Sequence, residues 1–347
     1  MKIFYYMPYH KSLGADYWIY EGWKYAFIDL GHEFIEINNF SRDIKEYTKF
    51  GFPEILFIPN IGDVMINECD TLEWVRKNGT VVFMVVHWPM KEQEIKSIRS
   101  RDIADVYFSE REPESMGEFY NITGKKYFNI PQAANKNWHF PVESAKDYEY
   151  DILYLGARLP KKEAMFKSVL LPLKKKYKVG IFGPYWNNED NFLRLVQKIF
   201  RKIKYEKWAN KINEIRFKKY IFPKEIQNML YSSSKICLNF HEREKDGSQP
   251  HLILTQRTFV IPACGGFEIC DYVPPLRKYF SEEEMVMATM DKEDWFKKIE
   301  YYMNNEKERN TIRQKGTKRA LSDHTYHNRV KTVIDIYTEV RNKMSEY

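Results

Sequence analysis

The segment GARLPKK, Gly156–Lys162, sets three cations within five positions between a strand-like and a helix-like run. A diphosphate needs its charge neutralised by flexible point charges and by a planar donor fork, which Lys and Arg supply. A second segment, Gly247–Asp271 (GSQPHLILTQRTFVIPACGGFEICD), reads as helix start, short helix, glycine turn and buried strand. Ser248 or Gln249 can cap and Pro250 suits the first helical position. Leu252, Leu254, Phe259 and Val260 are apolar around a helix that ends at Cys264-Gly265-Gly266. Free amide N–H groups and the positive dipole end are then expected at residues 249–252, where anions bind. Arg158 with Lys161 or Lys162 can reach toward that helix start. An ordinary α/β crossover with solvated first-turn lysines is the plainer reading of the same residues.

Other residues follow strand-like runs: Tyr9, His10 and Gly14, then His87-Trp88-Pro89, and later His241 and Asp271. His87 ends an apolar strand, so its imidazole is placed to hydrogen-bond a sugar hydroxyl or an oxygen with developing charge; a structural histidine bonded to a loop carbonyl is the alternative. Tyr17, Trp18, Tyr20 and Trp23 are core aromatics, one face of which could stack on a sugar. There is no GxGxxG after a strand, no P-loop, no GxSxG elbow and no HExxH, which argues against dehydrogenase, P-loop NTPase, hydrolase and zincin chemistry. Asp291 and Asp294 flank a helix start, where carboxylates favour the dipole.

These residues need elements to position them. Strands are expected at Lys2–Met7, Glu33–Ile37, Ile55–Ile58, Thr80–Val86, Val106–Ser109 and Tyr127–Ile130, with helices at Tyr17–Leu30 and Cys69–Asn78 between them. A second series follows the polar connector Pro141–Ser144, with strands at Tyr150–Leu155, Lys178–Phe182, Lys235–Asn239 and Phe267–Cys270 and helices at Lys161–Lys176 and Lys292–Asn304. Such alternation predicts an α/β protein of two Rossmann-like domains facing across a cleft, residues 1–143 and 144–323. A final amphipathic helix, Thr325–Met344, is left over within 324–347.

The chain of 347 residues is 44% hydrophobic and 30% charged, with no run long and apolar enough to span a bilayer. It starts without a secretory pattern, and its four cysteines have no CxxC spacing, so a cytoplasmic protein with reduced core thiols is expected. The net charge of +7 is uneven. Lys198–Tyr220 carries nine Lys/Arg against two Glu with apolar residues interleaved, which fits a solvated helix pair, a peripheral membrane contact or a nucleic-acid contact.

From Tyr150 to Arg329 the chain resembles glycosyltransferases of the spore-maturation CgeB-like group, relatives of the group 1 transferases with GT-B fold. The resemblance is carried by YDILYLGARLPKKE, YSSSKICLNFH, QRTFVIPACGGFEICDYV and NNEKERNTIRQKGTKRALSDHTYHNR. YEGWKYAFIDLGHEF, ADVYFSE and NIPQAANKNWHFP extend it more weakly into the N-terminal half. It implies a UDP- or GDP-sugar donor held by the second domain and a glycan, lipid-linked or protein acceptor held by the first; the basic segment Lys198–Tyr220 and the Lys/Asn/Tyr-rich composition raise modified DNA as an alternative acceptor. It also implies transfer with retention, no required metal, and a last helix crossing back to the first domain.

By the same resemblance, Arg158 and Lys162 face the donor diphosphate; Gly14, Gly156 and His241, as strand-end residues, are expected among the donor-binding set. Arg257 and the loop Gln249–His251 lie beside the donor, Gly265 and Gly266 admit a close backbone approach, and His87 matches the strand-end histidine near the transferred sugar. His87, Arg158 and Lys162 are thus the expected catalytic set. The family pattern R-x-F-E has a glutamate for the nucleotide ribose where this chain has Val260, and Glu268, eight residues on, could approach the same pocket from the next strand. Either donor affinity is supplied differently, the donor is unusual, or the protein is a catalytically silent GT-B-shaped binding module.

Overall fold

The structure, a computed structural model, describes residues 1–8, 16–59, 64–101, 103–220, 222–243 and 253–345. The chain divides into two compact units. One gathers Met1–His10, Tyr20–Gln132 and Tyr326–Tyr347, the other Lys11–Ile19 and Ala133–Thr325.

The first unit is built on six parallel strands: β1 (Lys2–Tyr6), β2 (Glu33–Ile37), β3 (Ile55–Ile58), β4 (Val81–Val85), β5 (Val106–Ser109) and β6 (Tyr127–Asn129). Their order is β2-β1-β3-β4-β5-β6. Strands β3 (ILFI) and β4 (VVFMV) are apolar throughout and fully buried, as the centre of a sheet covered on both faces requires. The core on one side is aromatic, with Phe57 ringed by Tyr5, Trp23 and Phe108 at centroid distances of 4.8–5.6 Å. The last helix, Tyr326–Ser345, packs into this unit. Tyr326 lies on Gly22, where a Cβ would come within 2.1 Å of its ring, and against Trp23 at 5.3 Å. His327 Nε2 lies 2.9 Å from Asp29 Oδ2, and Arg329 Nε donates to the Pro131 carbonyl at 3.0 Å.

The second unit has five parallel strands: β7 (Ile152–Leu155), β8 (Val179–Phe182), β9 (Ile236–Asn239), β10 (Glu268–Asp271) and β11 (Val286–Ala288), in the order β11-β10-β9-β7-β8. Counted within each unit, both sheets begin 2-1-3-4-5, the first adding a sixth strand at the end, with the direction of winding reversed between the first and third strands. In this unit the reversal falls between β7 and β9, and a doubly wound sheet binds its ligands just beyond the carboxyl ends of such a pair. Apolar residues cover both faces. Phe259, Val260, Cys237 and Cys270 belong to one core, and Phe166, Phe240, Ile269 and Trp295 to the other.

Two expectations about elements need correction. The helix expected from Pro250 starts at Arg257 and ends at Ala263, with Ile253, Leu254 and Thr255 outside regular structure. β-Branched Ile253 and Thr255 resist the helical conformation, and the Thr255 carbonyl takes the Thr258 N–H at 3.0 Å instead of continuing a helix. The helix expected over Lys161–Lys176 is a composite running from Pro160 to Leu173, with a π-turn at Phe166–Leu170 just before Pro172, which has no N–H to give. The sequence reading lacked β11, a three-residue strand between acidic and methionine-rich flanks.

Candidate functional site

Beyond the carboxyl ends of β7, β9 and β10 lies a cluster of polar groups that the second unit holds out of water. Lys162 is buried at 2% exposure, and its ammonium has no hydrogen-bond or ion-pair partner among the described residues. Burial pushes its pKa well below the usual lysine value, the Arg257 charge pushes it further, and Glu242 and Asp271 oppose both. Beside it the half-buried Arg257 guanidinium donates from Nη1 to the Leu155 carbonyl at 3.0 Å and lies over the Tyr154 ring at 5.2 Å. Burial would lower its pKa, yet Tyr154, Tyr231 and Glu268 together hold it above the ordinary value.

Gly156 explains how Arg257 gets there. A Cβ at Gly156 would sit 2.2 Å from Arg257 Nη1, so the glycine leaves the space the guanidinium fills. Its carbonyl takes the Trp186 indole N–H at 2.7 Å. Trp186 in turn lies 5.4 Å below the Arg158 guanidinium. Arg158 is not a free cation: Glu163 grips it with two hydrogen bonds, of 3.0 and 2.7 Å, which also raise its pKa. Lys161 is exposed and pairs with Glu242 at 3.3 Å.

Behind the cations runs a hydrogen-bonded chain between strands distant in sequence. Asn239, at the end of β9, donates to Glu268 Oε1 at 2.8 Å and to the Thr258 hydroxyl at 3.2 Å. Its carbonyl oxygen accepts from the Thr255 hydroxyl at 3.3 Å. The Thr258 hydroxyl lies 3.2 Å from His241 Nε2, and His241 Nδ1 lies 2.9 Å from Asp271 Oδ1, which also takes the His241 backbone N–H. With Nδ1 donating to the carboxylate, Nε2 is left to accept from Thr258. Every member of this chain is buried except Thr255.

The two carboxyl groups at its ends differ. Burial raises the Asp271 pKa, but His241 overcomes this and holds it below the usual aspartate value. Burial drives Glu268 up to about 8, with the Asn239 hydrogen bond and Arg257 only partly offsetting it. Glu268 is therefore protonated at neutral pH and Asp271 ionised. Each keeps one buried oxygen, Glu268 Oε2 and Asp271 Oδ2, without a partner, which leaves an O–H donor at Glu268 and an acceptor at Asp271 for a polar ligand.

The expected residues thus fall into groups. Lys162, Gly156, Arg257 and His241 come together at the strand ends, and Glu268 joins them through Asn239. Gly265 and Gly266 precede β10 and so lie at the opposite edge of the sheet. Gly265 has φ +74° and its Cβ position faces Pro141; a Cβ on Gly266 would press on the Ile261 carbonyl at 2.9 Å. The space beside Gly265 is filled by Pro141 and that beside Gly266 by Ile261. Val260 is a core residue of the helix Arg257–Ala263. His87 belongs to the first unit, half-buried past β4, with its pKa lowered by burial against the pull of Glu110. Gly14, Gln249 and His251 lie outside the described residues, as does the helix start expected at 249–252. Asn239, Thr258, Tyr154 and Trp186 were not singled out from the sequence. An asparagine that closes the apolar run ICL was a readable signal for the first of them. Among the described residues no group of three or more His, Cys, Asp or Glu is arranged to hold a metal ion.

Comparison with known proteins agrees with the fold. Residues 162–335, half of the chain, match the model of the glycosyl transferase-like family. No curated protein matches the chain. Among solved structures, sucrose-phosphate synthase from Thermosynechococcus elongatus is similar with TM-score 0.65 at 11% identity, covering 99% of each chain. HepE from Anabaena, in complex with UDP and glucose, has TM-score 0.62 at 8% identity, over 97% of this chain and 99% of that one. An alpha-glucosyltransferase in complex with UDP and a mismatched 13-mer DNA has TM-score 0.61 at 15% identity, over 97% of this chain and all of that one. Both units are parallel-sheet and Rossmann-like, the GT-B fold, and the chain belongs to the glycosyl transferase-like family.

Proposed function

We propose that the second unit binds the diphosphate of a nucleotide-sugar donor at Lys162 and Arg257, and that the protein transfers that sugar to an acceptor with retention. The observation that carries this reading is Lys162: a buried ammonium next to a second cation, Arg257, with Glu242 and Asp271 only partly offsetting the two. Such a group destabilises the unliganded fold and is relieved by a polyanion. In transfer the bond from the anomeric carbon to the diphosphate oxygen breaks, its electron pair stays on the diphosphate, and Lys162 and Arg257 stabilise the charge that develops there. Asp271 Oδ2 is the acceptor for a donor hydroxyl, a task Val260 cannot perform. Arg158, released from Glu163, supplies further charge, and His87 contacts the transferred sugar, a role that rests on the family resemblance. UDP in two of the similar structures makes UDP-glucose the first donor to try.

Isothermal titration of the full chain with UDP, GDP, ADP and CMP sugars tests this reading. We expect micromolar binding of at least one that is lost in Lys162→Met, and failure to bind any of them removes the donor assignment. Donor hydrolysis by the unmutated protein would also dismiss the silent binding module that Val260 suggests. The quoted CgeB-like segments favour a glycan, lipid-linked or protein acceptor. Modified DNA is a second reading, favoured by the DNA in one similar structure and by the basic segment 198–220; duplex binding with a steep salt slope would support it. Four free, buried cysteines suit a cytoplasmic site of action.

A further inference from the structure

The helices Asn188–Lys202 and Glu206–Tyr220 form a hairpin whose first helix turns its polar side inward, while the second buries Ala209, Ile212 and Tyr220 beside Arg216. The buried residues of the first helix are Asp190 and Gln197, both polar. Arg216 of the second helix binds them, from Nε to Asp190 Oδ1 at 2.7 Å and from Nη1 to Gln197 Oε1 at 2.9 Å. Gln197 continues to Asn213 at 3.3 Å, and Asp190 also takes the Tyr185 N–H at 2.6 Å. At 100° per residue, Phe192, Leu195, Ile199 and Ile203 fall within an arc of about 80° directly opposite this polar seam. All four are at least half exposed, Phe192 by 63%. Tyr205 and Trp208 extend the apolar surface at the turn, where they too are exposed.

Helices of water-soluble folds bury the apolar side and show the polar one. Here a buried ion pair fixes the reverse orientation, so the aliphatic stripe is held outward by specific bonds. Cations border it. Lys198 and Lys202 lie along one margin by the same angular count, and Lys204 and Lys207 lie at the turn, all exposed. Lys211 sits 5.3 Å over the Trp208 ring.

We propose that this hairpin is a docking surface for anionic lipid membranes. The contiguous aliphatic stripe matches acyl chains, Tyr205 and Trp208 suit the interfacial layer, and the flanking lysines complement acidic head groups. Nucleic-acid surfaces would use the lysines but leave Phe192, Leu195 and Ile199 without a role. No helix among the described residues is long and apolar enough to cross a membrane, so the hairpin lies along the surface. The surface is separate from the cation pair at the strand ends, and its test does not depend on donor binding.

The test is flotation of the full chain with vesicles of phosphatidylcholine alone or mixed with phosphatidylglycerol, alongside Trp fluorescence. We expect at least tenfold tighter binding to the phosphatidylglycerol vesicles, weakened by salt, with a blue shift in Trp emission. A variant with Phe192→Ser, Leu195→Ser and Ile199→Ser should keep its melting temperature, since these side chains are exposed, and lose binding at least tenfold. A second variant, Lys198→Glu with Lys202→Glu, should lose the preference for acidic lipid. Absence of vesicle binding, or binding that survives the triple substitution, overturns the proposal. So does a dimer, or a duplex-DNA complex, that the triple substitution abolishes, because the stripe then serves a second copy or a nucleic acid.

Discussion

At the scale of single residues, Lys162 and Glu268 are both ionisable groups whose charged form burial disfavours, and they serve different ends. Replacing Lys162 with Met removes a buried ammonium that Glu242 and Asp271 only partly offset, while keeping the stem's volume. The unliganded variant should melt higher than the parent, with a gain on the order of 1 kcal/mol, while donor affinity falls roughly 10- to 100-fold. Calorimetric melts with matched titrations check both, and loss of stability together with affinity would mean that Lys162 is structural. Glu268 imposes a pH dependence. An unfolded chain ionises this carboxyl near 4.5, whereas the folded protein keeps the proton until about pH 8. Between those values the folded state binds more protons, so its stability falls as pH rises and levels off above 8. Glu268→Gln lacks this loss: its melting temperature relative to the parent should climb from pH 5 to pH 8 and then stay flat. A difference independent of pH would show that the buried carboxyl is ionised throughout.

Two glycines separate local fold from local chemistry at the scale of elements. At Gly266 an added Cβ meets the Ile261 carbonyl and the Ile261 side chain, neither free to move, so Gly266→Ala should cost about 1–3 kcal/mol of stability in denaturant titration. At Gly156 the obstacle is the tip of the Arg257 side chain. Gly156→Ala should displace the guanidinium from the Leu155 carbonyl and weaken donor binding by about tenfold, with a smaller loss of stability. Equal stability losses in the two would contradict this division. The sequence made most strands readable, because runs such as ILFI and VVFMV have one plausible environment. It made the loop Gly156–Lys162 readable as a cationic turn, but not Glu163 as the partner of Arg158 or the space that Gly156 keeps for Arg257. Nor could it show the orientation of the helix Asn188–Lys202, because the ion pair that turns its apolar side outward joins Asp190 to Arg216, 26 positions later. A helix continuous to Ala263 was misread across Ile253–Thr255, because Thr255 acts through bonds to Asn239 and Thr258 that the local sequence does not show.

At the scale of the whole molecule, both sheets share the order 2-1-3-4-5, and alternating strand and helix patterns were sufficient to announce two such units. The destination of the last helix was open from periodicity alone, since an amphipathic stripe does not name its partner. Gly22 and Tyr326 make that partnership specific. Gly22→Ala should push the Tyr326 ring from its seat, and we expect faster proteolytic cleavage within Tyr326–Ser345; an unchanged cleavage rate would show that the helix is held without that contact. The first unit is also interrupted in sequence. The chain leaves it near Ala133 and returns after Thr325, where Ala134 pairs with Thr325 in a short parallel bridge. During synthesis the amino-terminal strands therefore emerge first yet lack the helix Tyr326–Ser345 until it too has been made, whereas all residues of the second unit have by then been translated. Chains stalled after residue 325, with a linker long enough to clear the ribosome, should accordingly protect the second unit from protease while leaving the first one vulnerable. The order of manufacture and the order of completion run in opposite directions.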